Sequence, residues 1–291
     1  MTVKKRHKKA LSYGRPPSAR PKERMTAERS RSIIRTHHRL QKELAAALKN
    51  GDLQAAAVLS QAIEEYGGIK TYQAASKQGQ AKDRGGDSSK VLVDWLVQAQ
   101  VLDSTTRGRK SSGEPLLKCL EVGALSTKNE ISRFPSVIKM HRIDLNSQGP
   151  GIEKQDFMER PLPSNQDERF DLISLSLVLN YVPDAVARGE MLKRITKFLR
   201  IPGTHTNLSA PVLPALFFVL PLPCMENSRY FGEDLLLRIM ESLGFSIKFK
   251  KHTSKLCYYL FTLTDGATPT KFPKKKIKDK PTMNNFAIVL E

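Results

Sequence analysis

Leu116-Leu117-Lys118-Cys119-Leu120-Glu121-Val122-Gly123-Ala124-Leu125-Ser126 is the stretch on which the reading of the chain turns. It is a short apolar run that ends in Glu-Val-Gly and a turn of small residues. That is the pattern of a buried strand handing over to a loop at its carboxyl end. Ligands of open α/β sheets lie across the carboxyl ends of the strands. A glycine there lets backbone approach a ligand with no Cβ in the way. Only Gly123 remains of a glycine-rich loop, so the dinucleotide fingerprint is incomplete, and no phosphate-loop lysine follows. Alone, the stretch is better read as a tight strand-to-helix turn.

Downstream, short apolar strands alternate with helices. Candidate strands cover 138–144, 151–157 and 170–175, followed by a helix over 184–200, a strand over 215–220 and a helix over 233–243. This alternation predicts a parallel sheet with helices on both faces. The closing strands, 246–252 and 256–264, are too close for a crossover helix and must form a hairpin, which gives an antiparallel edge. Upstream, a helical pattern runs from Thr26 to Lys49, with Ile33, Ile34, Leu40, Leu44 and Leu48 on one side. Asn50-Gly51-Asp52 ends it and caps a second helix, which runs to Tyr66-Gly67-Gly68. The pair either forms an RNA-facing arm or simply packs on the domain. Residues 77–89 read as a loop, and 89–99 as a helix carrying the single tryptophan, Trp95.

The 291 residues carry a formal net charge of +19, unevenly spread. Residues 1–45 hold 14 basic and 3 acidic side chains, residues 269–291 hold 6 and 2, and the middle holds 28 and 24. The excess belongs to two ends, expected to be mobile, around a nearly balanced core. That excludes a uniformly basic packaging protein, and 40% hydrophobic content excludes a wholly disordered chain. The run Lys4-Lys5-Arg6-His7-Lys8-Lys9 fits a nuclear or nucleolar address and would equally bind a phosphate backbone. The 3 cysteines have no zinc-site or disulfide-framework spacing, and His37, His38 and His141 lack partners at metal-ligand spacing. No metal, no membrane span and an intracellular location are therefore expected.

Two further strand ends carry acids. Asp144 ends Arg142-Ile143-Asp144, where a carboxylate can accept both hydroxyls of a ribose. Asp156 and Phe157 end the next strand, where they can meet an adenine amino group and cover the base. The run Phe170-Asp171-Leu172-Ile173-Ser174-Leu175-Ser176-Leu177-Val178-Leu179-Asn180-Tyr181-Val182-Pro183-Asp184 then resembles the fourth motif of class I S-adenosylmethionine (SAM)-dependent methyltransferases, and the preceding acids follow the same order. The strings EVGALSTKN, RIDLNSQ, IEKQDFMERPLP and LVLNYVPDAVARGEML look more specifically like the fungal nucleolar large-subunit (25S) rRNA adenine-N1 methyltransferases. GGIKTYQAAS and FFVLPLPCMENSRYF extend the likeness to roughly residues 60–265.

The resemblance implies a Rossmann-like seven-stranded SAM-binding domain over 101–268. A basic disordered tail (1–25) and a helical region (26–100) would precede it, and a basic C-terminal segment (269–291) would follow. It implies Glu121 among the cofactor-binding residues, Gly123 beside the methionine part of SAM, Asp144 on the ribose, Asp156 and Phe157 on the adenine, and Ser176 near the sulfonium. Asn180 and Tyr181 faintly echo a motif of amino-group methyltransferases and become candidates to orient and stack the target base. Capping and core packing explain these two residues equally well. The substrate implied is ribosomal RNA or a pre-ribosomal particle, in the nucleolus. The family's animal relatives look like SAM sensors of the TOR pathway, so a sensor without methyl transfer is the alternative. The basic N-terminal segment favours the enzyme.

Overall fold

The computed structural model describes residues 25–79, 86–109, 113, 115–147, 149–203, 211–268 and 270–291. Thr26 opens α1 (Ala27–Lys49) by accepting the Arg29 amide at 3.1 Å. Gly51, at φ +74°, turns the chain back, and Asp52 opens α2 (Leu53–Glu65) by accepting the Ala55 amide at 2.9 Å. A third helix, α3 (Gly68–Gly79), occupies ground where a glycine stop and a loop were expected. Gly67 and Gly68, at φ +100° and +56°, make the turn into it, so they begin a helix as well as ending one. The basic run at residues 4–9 and residues 80–85 of the 77–89 loop lie outside the described residues.

The sheet order is β3-β2-β1-β4-β5-β7-β6. The strands are β1 (Leu117–Val122), β2 (Ile138–Asp144), β3 (Glu153–Lys154), β4 (Leu172–Ser176), β5 (Ala215–Pro221), β6 (Phe245–His252) and β7 (Leu256–Leu263). The first five run parallel, and β7 is antiparallel to both β5 and β6. The alternating pattern is therefore read correctly. The strand expected over 151–157 shrinks to two exposed residues, because Asp156 starts a tight turn.

Both sheet faces are covered, which is why β5 is buried along almost its whole length. One face packs on α4 (Ser89–Gln98), where Trp95 stacks on Phe249 at 5.6 Å and meets Phe217 edge-on. The other packs on α5 (Ala185–Phe198) and α7 (Glu233–Ser242), with short α6 (Leu222–Glu226) after β5. Among the described residues, no helix is long and apolar enough to cross a membrane.

The basic C-terminal segment, expected to be mobile, is instead seated on the domain. Phe272, Phe286, Ile288 and Leu290 join the core of the α5–α7 face. Phe272 and Leu290 exchange backbone hydrogen bonds of 2.8 and 3.1 Å, and Val289 donates to the Ala185 carbonyl at 3.0 Å. A Cβ on Gly189 of α5 would lie 1.8 Å from the Val289 carbonyl oxygen, so only glycine lets the segment cross there. The guanidinium of Arg188 donates to Ala287 at 2.6 Å and lies 4.5 Å over the Phe286 ring. The lysines face solvent while the apolar run 286–290 faces inward.

Candidate active site

The exit of β1 is fixed by backbone. Gly123, at φ +74°, and Ala124 both donate to the Ile143 carbonyl, at 2.9 and 3.1 Å, which staples the turn to β2. A Cβ on Gly123 would come within 2.5 Å of Val178 Cγ2, so the left-handed backbone and the close neighbour both demand glycine. Glu121 stands opposite Arg142 in register and is 14% exposed. Asn129 Nδ2 donates to its Oε1 at 2.5 Å. Arg142 Nε lies 3.5 Å from Oε2, close enough for ionic attraction but too poorly aligned for a hydrogen bond. Burial pushes the Glu121 carboxyl up to about 7, against the pull of Arg142.

At the exit of β2, Asp144 accepts the Asn146 amide at 2.8 Å. Burial raises its pKa, opposed by that hydrogen bond and by Lys77 of α3. Gln73, also on α3, donates to the Asn146 carbonyl at 2.8 Å, so α3 lies across this strand end. Asp156 caps its own turn by accepting the Met158 amide at 2.7 Å. Phe157 corrects the sequence reading. It is 3% exposed and packs 5.2 Å from Phe198 beneath Arg194, so its ring lies in the core and not over the strand ends.

The exit of β4 is crowded by side chains from far away. The Ser176 hydroxyl lies 2.9 Å from that of Ser88, at the start of α4. Leu177 holds φ +58°, which is strained for a side-chain-bearing residue and turns the chain sharply out of the sheet. Tyr181 stacks on His38 of α1, centroids 4.1 Å apart, and meets Tyr72 of α3 edge-on at 5.5 Å. Tyr72 in turn stacks on His37 at 4.5 Å. Burial, reinforced by Lys42, His37 and Arg188, pushes the His38 imidazole down to about 4, so it is neutral at physiological pH. The Asn180 side-chain oxygen is buried without a hydrogen-bond partner among the described residues.

Glu121, Gly123, Asp144 and Ser176 thus share one rim of the sheet, with Asn180 and Tyr181 just past its β4 end, while Phe157 turns into the core. Sequence reasoning missed Tyr72 and Gln73 because it missed α3, and it weighed His38 only as a metal ligand. Pairing of aromatic and imidazole rings between α1, α3 and the β4 exit is a tertiary event with no local signal.

The family described as 25S rRNA (adenine(2142)-N(1))-methyltransferase, Bmt2, matches residues 57–288. The 25S rRNA (adenine(2142)-N(1))-methyltransferase of Saccharomyces cerevisiae is 41% identical over 232 residues, 78% of this chain and 61% of that protein. The present chain therefore spans about three-fifths of that relative's length. The 25S rRNA adenine-N(1) methyltransferase of Schizosaccharomyces pombe is 36% identical over 260 residues, 88% of this chain and 89% of that one. Among solved structures, Burkholderia thailandensis 1,6-didemethyltoxoflavin-N1-methyltransferase with bound S-adenosylhomocysteine is similar at 13% identity and a TM-score of 0.43, over 66% of this chain and 87% of that one. The match across residues 57–288 takes in α3 and every strand end of the site, and on it the chain belongs to the Bmt2 family.

Proposed function

We propose that the protein is a SAM-dependent methyltransferase that modifies N1 of an adenine in large-subunit ribosomal RNA, working in the nucleolus. Membership of the Bmt2 family carries this reading, and the same membership weighs against a sensor without methyl transfer. The strand ends fit SAM. Gly123 makes a cradle that a Cβ would fill, and Asp144 stands at the β2 end with one oxygen already oriented by the Asn146 amide. Glu121 and Ser176 complete that rim, and Asp156 marks its far side.

Bound SAM would supply an electrophilic methyl, whose transfer forms an N–C bond at N1 as the S–C bond breaks and leaves the positive charge on the base. Adenine N1 has a free lone pair at neutral pH, so no side chain need remove a proton from it. The chain has instead to orient the base, exclude water and tolerate a cation. The rings of Tyr181 and Tyr72 offer faces that favour positive charge, and the neutral His38 adds none. Asn180, with its unpartnered oxygen, is suited to accept from the exocyclic amino group. An adenine paired through N1 must be turned out of its helix first.

The test is incubation with tritiated SAM and large-subunit rRNA from cells lacking the protein, followed by nuclease digestion. Label in 1-methyladenosine that disappears with Asp144→Ala is expected. Tight SAM binding with no transfer to RNA would count for the sensor. A fluorescent fusion that stays out of the nucleolus would remove the proposed location.

A further inference from the structure

Beyond Tyr181, three segments distant in sequence enclose a groove of about 790 Å³. Lys42 of α1 stands on one side, Pro183 and Arg188 line the middle, and Lys271 and Lys274 of the seated C-terminal segment stand on the other. Four cations thus line one cleft, and two acids, Asp184 and Glu291, join them. Asp184 is already engaged, accepting the amides of Val186 and Ala187 at 2.9 and 3.0 Å. Arg188 is 2% exposed and gives its guanidinium to the carbonyls of Val182, Pro183 and Ala287. No carboxylate within ion-pair distance neutralises that charge among the described residues, nor those of Lys42, Lys271 and Lys274. Lys274 lies instead 4.5 Å over the Tyr230 ring. The field is felt locally, since Arg188 adds to the burial that lowers the pKa values of Lys42 and His38. Among the described residues no aromatic side chain lines the groove, so it is suited to a charged backbone and not to a stacked base.

We propose that this groove holds a phosphodiester of the substrate strand beside the target adenosine, with Lys42, Lys271 and Lys274 as its ligands. The inference rests on the RNA-methyltransferase reading. It goes beyond that reading by replacing diffuse attraction to basic tails with one fixed site. Pro183 is two residues past Tyr181, and Arg188 Nε holds the intervening Val182 carbonyl at 2.9 Å. A strand whose base enters at Tyr181 therefore has this cleft beside it. The buried apolar residues of the C-terminal segment and the glycine crossing at Gly189 hold the far side still, so the cleft can set the register of the strand as well as attract it.

The test compares two charge reversals at exposed lysines, Lys271→Glu with Lys274→Glu and Lys248→Glu with Lys251→Glu on the β6 edge. Each is measured for affinity to an rRNA fragment across a salt series, for methylation KM, and for SAM affinity by calorimetry. The groove pair should weaken RNA binding at least about 10-fold at 0.1 M salt and lower the salt slope by roughly one to two, with SAM affinity unchanged. The β6 pair should change RNA affinity by less than about 3-fold. Equal losses from both pairs would mean diffuse electrostatics and overturn the site. So would unchanged affinity and slope in the groove pair while the wild-type protein methylates rRNA. A wild-type protein that neither binds nor methylates rRNA would overturn the RNA reading, and the site with it.

Discussion

The exits of β1 and β2 and the exit of β4 lie side by side on one sheet but are made differently. At the first, the backbone sets the shape. Gly123 turns left-handed, its amide and that of Ala124 are fixed to Ile143, and Asp144 is aimed by an amide two residues on. At the second, side chains set it. His38, Tyr72 and Tyr181 come from three elements and hold one another by ring contacts, while Arg188 ties the following loop to the C-terminal segment. A change at the first should therefore act on the cofactor. A change at the second should act on the substrate and leave the cofactor nearly alone.

The sharpest way to break that division is Gly123→Ala. A left-handed backbone costs a side-chain-bearing residue about 1–2 kcal/mol, and the crowding against Val178 adds about 1–3 kcal/mol. Felt at the cofactor, this weakens SAM binding on the order of 100-fold by calorimetry. Retention of full affinity would mean that the β1 turn is not part of the cradle. Asp144→Ala follows, with a loss of about 10- to 100-fold in SAM affinity from one charge-assisted interaction. Tyr181→Ala should instead lower kcat about 100-fold while SAM affinity stays within about 3-fold, the signature of lost positioning. If SAM binding fell as far as turnover, the two exits would be one site.

Smaller effects sharpen the same contrast through stability. Gly189→Ala should destabilise the fold by about 1–3 kcal/mol in urea titration, because the added methyl meets the Val289 carbonyl. Glu121 and His38 give opposite pH dependence. The folded carboxyl of Glu121 titrates near 7, above its ordinary 4.5, so the folded state binds the extra proton and stability falls as pH rises through that window. The folded imidazole of His38 titrates near 4, below its ordinary 6.5, so the unfolded state binds the extra proton and stability rises from pH 4 to 6.5. The two largely cancel in the wild type. Glu121→Gln should uncover a rise of about 2 kcal/mol across the acid range, measured by thermal melts. A flat curve in that variant would show His38 to be hydrated.

The β1–β2 side of the site was legible in the sequence because each of its residues ends its own strand, so local pattern and position coincide. Phe157 shows where that rule stops. An apolar residue past a strand end can cover a ligand or fill the core, and only the packing of α5 decides. The helix α3 was hidden by Gly67-Gly68, a pair that ends one helix and begins another with equal economy. The seating of the C-terminal segment was hidden by lysine density, although the five apolar residues from Phe286 to Leu290 carried the signal. The ring cluster at Tyr181 had none, since its rings come from three elements and each step from one element's rings to the next is more than 30 residues along the chain.

The sheet order also says something about time. Among the described strands, the edge strand β6 pairs with β7 alone, which is made after it, and β7 must slot between β5 and β6. As the chain leaves the ribosome, β5 thus waits with an open side until residue 263 has emerged, and the apolar surface of α5 and α7 waits longer for residues 272–290. Closure of the sheet and of the α5–α7 face thus falls to residues 256–290, and both surfaces stay uncovered until that stretch has been made.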